Sequence, residues 1–363
     1  MLRVPTDHAS PAAAAAAAHR TIPCARPARA RTAARYSPAR TVVAQADAAG
    51  LGLVGSNELR VAYQGAPGAY SEQACMLAYD DCEPVPCSQF EHAFLAVTEW
   101  RADRAVLPIE NSLGGSIHRN YDLLLKYRLH IVGEVGLPIN HCIMALPGTK
   151  KEEIVCVQSH PQALAQCENY LNTHYPNSRG VVHQATDDTA DSAKRIAQED
   201  IKGYAAIASR RAAELYDMEI LDEGIQDDKL NVTRFVALAR EPVPVKDDDG
   251  SQRQYKTSIV FTLKEGPGVL FKALSVFALR DINLTKLESR PMRAAPIVTD
   301  EAGSVQKLKR FNFVFYCDFV GGTNDATVQN ALRHLGEIAP YMRVLGSYPL
   351  HETDLSHLST KDV

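Results

Sequence analysis

The sequence predicts an α/β protein of two lobes followed by a smaller α+β module. Three observations carry that reading. From Leu59 onward, short apolar runs alternate with turns bearing Gly or Pro and with helix-like stretches. A polar, Pro- and Asp-rich segment at residues 241–254 interrupts the alternation. Beyond it, strand and helix signals run βαββαβ within about 90 residues, the order of a ferredoxin-like module.

Composition narrows the class. With 363 residues, the chain has room for two ordinary domains. Apolar residues make up 45% and charged residues 23%, as in soluble globular proteins. No run approaches the roughly 20 apolar residues of a membrane span. The net charge of −4 hides an asymmetry. Residues 1–46 carry seven Arg and a single acid, Asp7, for a net +6, which leaves −10 on the rest. An acidic body argues against a nucleic-acid partner. The Ala-, Arg- and Pro-rich start reads as an organelle transit peptide, processed between Arg40 and Asn57. The eight Cys include no CxxC pair, so neither a zinc pattern nor a secreted disulfide framework is indicated.

Taken in order, Leu59–Tyr63 is a strand. The turn Gly65-Ala66-Pro67-Gly68 follows, with Ser71 as N-cap of a helix Glu72–Tyr79. That turn either presents backbone N–H groups to an anion or is a tight turn needing glycine. It lacks the Gly-Lys-Ser/Thr of a P-loop. Arg104–Ile109 is a strand, Glu110–Ser116 a polar loop at its end, and Ile117–Tyr127 a helix. In the second lobe, His130–Leu146 gives strand segments broken at Gly133, Gly136 and Pro138. Ile154–Val157 is a strand and Pro161–Tyr170 a helix. Gly180–Gln184 is a strand, Thr186 or Asp188 caps the helix Ala190–Gln198, Tyr204–Ala208 is a strand, and Arg211–Leu215 a helix. The chain returns through Asp222–Phe235 into a buried strand at Asn231–Leu238. Thr233-Arg234 stands where burial begins, so a hydroxyl and a fixed cation there need partners. An anionic ligand would serve, and so would an acid such as Asp227.

In the C-terminal module the strands are Thr257–Leu263, Asn283–Glu288, Asn312–Phe319 and Met342–Gly346. Its helices are Val269–Leu279 and Ala326–Leu335.

Pro108-Ile109-Glu110-Asn111-Ser112 with Gly114-Gly115-Ser116, together with Asn231-Val232-Thr233-Arg234-Phe235, resembles the catalytic domain of plant-type arogenate and prephenate dehydratases. Gly65–Ser71, Ser159-His160-Pro161-Gln162-Ala163-Leu164 and Asp188-Thr189-Ala190 are similar to that family's opening turn and middle. Lys229-Leu230 departs from the Ser-Asp of plant members but lies outside the Thr-Arg-Phe core. The resemblance implies a bilobal fold like type II periplasmic binding proteins at 57–240, with the ligand between the lobes. Gly266-Pro267-Gly268 and Leu287-Glu288-Ser289-Arg290-Pro291 resemble an ACT regulatory module at 255–350.

In such an enzyme the substrate loses CO2 and a ring hydroxyl and gains an aromatic ring. No metal and no cofactor is needed. The resemblance then implies Thr233 as the catalytic hydroxyl. It implies Glu110, Asn111, Ser112, Ser116 and Arg234 as substrate-binding residues, with Phe235 packing the hinge beside them. His160 is left outside the set as a loop or capping histidine. Glu110 is the carboxylate that would favour the ammonium of arogenate over the keto group of prephenate. For phenylalanine as effector, the module implies Gly268, Val269, Leu270, Asn283, Leu284, Glu288 and Ser289. A homo-oligomer (dimer or tetramer) and a plastid stromal location complete the reading. The alternative is a catalytically inactive amino-acid sensor of the same fold.

Overall fold

The computed structural model describes residues 58–245, 254–291 and 313–351, with the short strand pair Val298–Thr299 and Val305–Gln306. The N-terminal basic segment, its processing region and most of 241–254 lie outside the described residues.

The first lobe begins β1 (Leu59–Gln64), α1 (Tyr70–Ala78), β2 (Cys82–Cys87), α2 (Phe90–Thr98), β3 (Arg104–Asn111), β4 (Gly115–Ser116), α3 (His118–Tyr127) and β5 (His130–Pro138). The second comprises β6 (Cys142–Ala145), β7 (Cys156–Ser159), α4 (Pro161–Gln166), α5 (Glu168–His174), β8 (Val182–Ala185), α6 (Thr189–Gln198), β9 (Tyr204–Ala208), α7 (Arg210–Leu215) and β10 (Glu219–Glu223). The chain then re-enters the first sheet as β11 (Val232–Ala239). The sheet orders are β2-β1-β3-β11-β5 and β10-β6-β9-β7-β8. Two segments therefore connect the lobes, residues 139–141 and 224–231, and β11 lies antiparallel between β3 and β5.

Local chemistry explains where the elements differ from expectation. Helix α1 starts two residues early, and Ser71 is buried inside it instead of capping it. The carboxylate of Glu72 accepts from the Gly68 N–H at 2.8 Å and pairs with Arg211 at 2.7 Å. The anion at this helix start is the chain's own. Strand β5 runs unbroken through both glycines and Pro138, because it ends the sheet and its proline needs no outer partner. Edge position likewise admits Pro84 and Pro86 in β2, a strand that the sequence reading lacks, as it lacks α2 and β10. The expected helix Pro161–Tyr170 is two, divided at Cys167, with the His160 Nδ1 accepting from the Gln162 N–H at 3.2 Å. Asp188, not Thr186, caps α6.

The C-terminal layer is β12 (Tyr255–Thr262), α8 (Val269–Ala278), β13 (Leu284–Pro291), β14 (Val298–Thr299), β15 (Val305–Gln306), β16 (Phe313–Val320), α9 (Ala326–Ile338) and β17 (Tyr341–Pro349). Its four long strands are antiparallel in the order β13-β16-β12-β17. One face packs on α8 and α9 through Ile259, Phe261, Phe315 and Phe319. The opposite face contributes Val260, Tyr316, Leu345 and Tyr348 to the core of the first lobe, beside Phe94, Leu124 and Leu238. Gly346 lets β17 lie against β5, since a Cβ there would collide with the Ile131 carbonyl oxygen.

Candidate active site

The cleft between the two sheets has a volume of ≈ 870 Å³. Its first-lobe wall includes Gly65, Tyr70, Asn111, Thr233 and Phe235, and its second-lobe wall Gln162, Gln166, Asp188, Asp191 and Lys194. Thr233 lies opposite Asn111 in the β11–β3 register. Both are largely buried, Thr233 being 9% exposed.

The hydrogen bonds around Thr233 have a fixed direction. Asn111 Oδ1 accepts from the backbone N–H of Leu113 at 3.0 Å and of Gly114 at 2.8 Å. Two donors on one atom fix it as the oxygen, so Nδ2 must face the other way. That Nδ2 donates to Thr233 Oγ1 at 3.0 Å and to Asn231 Oδ1 at 2.7 Å. Thr233 is therefore an acceptor toward Asn111, and its own proton is free for the cleft. The polarity carries on: Asn231 Nδ2 donates to Gln166 Oε1 at 2.9 Å, which leaves His141 Nε2 as the second donor to that oxygen at 3.0 Å. His141 Nδ1 lies 3.0 Å from the Tyr70 hydroxyl. Burial pushes the His141 pKa down, against a smaller upward pull from Gln166, so the ring is held neutral.

A profile of the prephenate dehydratase family matches residues 61–243. The Arabidopsis thaliana protein named arogenate dehydratase/prephenate dehydratase 6, chloroplastic, is 56% identical over 306 residues, covering 84% of this chain and 72% of that one. The chain belongs to the prephenate dehydratase family.

Among solved structures, a prephenate dehydratase from Arthrobacter aurescens in complex with L-Phe is similar to this dehydratase at a TM-score of 0.68 and 31% identity. That match covers 80% of this chain and 90% of the other. A structure titled as a novel type of quorum-quenching acylase gives a TM-score of 0.69 at 29% identity, covering 82% of this chain and 100% of that one.

Not every residue expected at the dehydratase's site reaches the cleft. Thr233, Asn111 and Phe235 line it, the last only 2% exposed. Arg234 does not, because neighbouring strand residues point to opposite faces. Its guanidinium faces the C-terminal layer: Nη1 to Glu110 at 2.9 Å, Nε to Glu134 at 2.8 Å, and Nη2 to Asp318 at 2.7 Å and to the Tyr348 hydroxyl at 3.0 Å. Lys256 pairs with Glu134 at 2.7 Å, and Lys286 pairs with Glu110. Burial pushes the Glu110 carboxyl up, but Arg234 and Lys286 outweigh it and hold the group below its ordinary value. Ser116 accepts from Lys286 at 2.7 Å in the same network. Ser112 closes the β3–β4 turn, donating to Leu230 O at 2.9 Å and accepting from Val232 N at 3.0 Å. Glu110, Ser112, Ser116 and Arg234 are thus engaged within the chain, and none of the four is among the residues that line the cleft.

A similar parity divides the expected effector set. Gly268 caps α8 with φ 70, and Val269, Leu270 and Leu284 pack on the helix-side core. Asn283 is exposed, and its carbonyl accepts from the Val320 N–H. Ser289 pairs in register with Phe315, a helix-side residue. Glu288 pairs with Tyr316 on the other face and reaches the His118 Nδ1 at 2.9 Å. It therefore faces the first lobe, away from the Gly268 turn.

Gln166, Asn231, His141 and Tyr70 were outside the expected set. The one sequence signal for Gln166 is its spacing from Gln162, four residues on, which puts both amides on one face of α4. Both approach Asn111 Oδ1, at 3.4 and 3.5 Å.

Proposed function

We propose that this dehydratase converts arogenate to phenylalanine, and prephenate to phenylpyruvate, through Thr233 as hydrogen-bond donor to the departing ring hydroxyl. The C–C bond to the ring carboxylate breaks and its electron pair enters the ring. The C–O bond breaks with its pair on oxygen, so CO2 and hydroxide leave together and hydroxide takes up a proton as water. Threonine is too weak an acid to give its proton away in full. Its contribution is a donor already aimed where negative charge develops. The observation that carries the reading is the polarity of Asn111, which accepts from Leu113 and Gly114 and so donates to Thr233 Oγ1. Apolar Ile139 and Phe235 beside it suit a carboxylate that is to be lost, because a desolvated carboxylate is a poorer ground state. The test is turnover of both substrates by the mature chain. Thr233→Ala should lower kcat roughly 10²–10⁴-fold and Thr233→Ser far less. Equal losses in the two variants would make the effect one of packing.

We read the paired sheets as a bilobal catalytic domain of the type II periplasmic-binding-protein kind. The C-terminal layer reads as a ferredoxin-like ACT module, with phenylalanine as effector at the turn of Gly268. The strand order of that layer and its two helices on one face support this. A homo-oligomer, dimer or tetramer, is supported by Phe271 of α8 and Leu279 at its C-cap, 76% and 79% exposed. The basic N-terminus and the chloroplastic name of the Arabidopsis relative support the plastid stroma. Regulation is tested with Asn283→Asp, which sets a negative charge near the effector carboxylate. Phenylalanine should inhibit the wild type and require at least about 10-fold more to inhibit the variant, a coupling loss of the usual size. Equal inhibition of both would remove the effector from this turn.

A further inference from the structure

Lys194 on α6 is, among the described residues that line the cleft, the one carrying the fixed charge of Lys or Arg. No hydrogen bond or ion pair with another described residue engages it, whereas its neighbour Arg195 turns away to donate to Gln158 Oε1 at 2.6 Å. A half-buried ammonium left without a partner in a ligand cleft is set to receive one from the ligand. It does not stand alone. Asp188 caps α6, and Asp191 and Lys194 follow at intervals of three, which places the row along one side of the helix. Only one oxygen of Asp188 is used by the cap, accepting from the Ala190 N–H at 2.8 Å and the Asp191 N–H at 3.0 Å. The other reaches across to Gly65, where an added Cβ would lie 3.0 Å from it.

Of the substrate's two carboxylates, only one is a reasonable partner for Lys194. Pairing an ammonium with the ring carboxylate would stabilise the group that must leave and raise the barrier. The side-chain carboxylate is unchanged by the reaction and can be held throughout. The side chain is also where the two substrates differ: arogenate carries an ammonium next to that carboxylate, prephenate a keto group. With Asp187, Asp188 and Asp191 on the same wall, a ligand of net charge −2 meets more repulsion than one that brings its own cation.

We propose that the α6 row reads the amino-acid end of the substrate, Lys194 pairing with the side-chain carboxylate and Asp191 accepting from the ammonium. This rests on the dehydratase reading above and names what would make arogenate the preferred substrate. Asp188 keeps its capping role, so the helix survives changes at the other two positions.

The test measures binding apart from turnover. In a Thr233→Ala background, Kd for arogenate and for prephenate is measured by calorimetry with Asp191→Asn and with Lys194→Met. Lys194→Met should weaken both ligands about 10–100-fold. Asp191→Asn should weaken arogenate about 10-fold and leave prephenate unchanged or tighter, because it removes a repelling charge. In the Thr233-intact enzyme the same ratios should appear in KM, with kcat within about 3-fold. Equal effects of Asp191→Asn on the two ligands, or unchanged binding in Lys194→Met, would overturn the proposal. Discrimination retained in binding while the intact enzyme turns over neither substrate would overturn the reaction assignment and leave the row standing.

Discussion

Replacing Arg234 by Met tests whether the middle residue of Thr233-Arg234-Phe235 binds substrate or holds the structure together. Three cations, Arg234, Lys256 and Lys286, meet three carboxylates, Glu110, Glu134 and Asp318, between β11 and the C-terminal layer. Removal of Arg234 leaves Glu134 with Lys256 and Glu110 with Lys286. Asp318, with a side chain 6% exposed, loses the one ion pair it makes among the described residues. Stranding a buried charge costs about 3–5 kcal/mol. For a body of this size that is a fall in Tm of roughly 6–20 °C. Adding Asp318→Asn removes the stranded charge and should recover about 1–3 kcal/mol. Thermal unfolding of wild type, both single variants and the double variant gives the coupling as a double-mutant cycle. KM for arogenate should stay within about 3-fold of wild type in Arg234→Met, measured well below its Tm. A large rise in KM with an unchanged Tm would refute the reasoning and return Arg234 to the substrate.

The direction of the Asn111 amide gives a second prediction. Asn111→Asp keeps the shape but replaces the donor toward Thr233 by an acceptor, so the threonine proton turns to Asp and away from the cleft. We expect kcat to fall roughly 10²–10³-fold, close to Thr233→Ala, and full activity in this isostere would show the donor direction to be wrong. A third concerns pH. The His141 pKa is lowered on folding, so the unfolded chain binds its proton first as pH falls, and the stability is present above about pH 6.5 and lost below it. His141→Gln should flatten that decline in denaturant midpoint relative to wild type, and an unchanged slope would refute it. Glu110, whose pKa is lowered, acts in a separate window. Its contribution is present above about pH 4.3 and lost as pH falls toward the folded value.

The order of elements was legible because periodicity and turn residues are local. Tyr204–Ala208 falls where the apolar run put it, and the strands and helices of the C-terminal layer shift by only a few residues at their ends. Thr233 was legible as a polar residue at the mouth of a core strand, and Asn111 as an amide at a strand end. Even the opposition of Thr233 and Arg234 is written in the two-residue period of a strand. Which of the two meets the ligand is not. Strand β11 is covered on both faces, by α1 beside the cleft on one side and by the C-terminal sheet on the other, so its run from Phe235 to Ala239 is apolar throughout. A strand buried on both sides has no polar face to mark its orientation. Only the docking of β12, β16 and β17 against the first lobe, by supplying Asp318 and Tyr348, assigns Arg234 to the far side. The chain of amides from Asn111 through Asn231 and Gln166 to His141 is likewise tertiary. Its members come from β3, the two connecting segments and α4, up to 120 residues apart in a single hydrogen bond. No local pattern joins them, because a hydrogen bond depends on where the folded backbone brings its donors and acceptors.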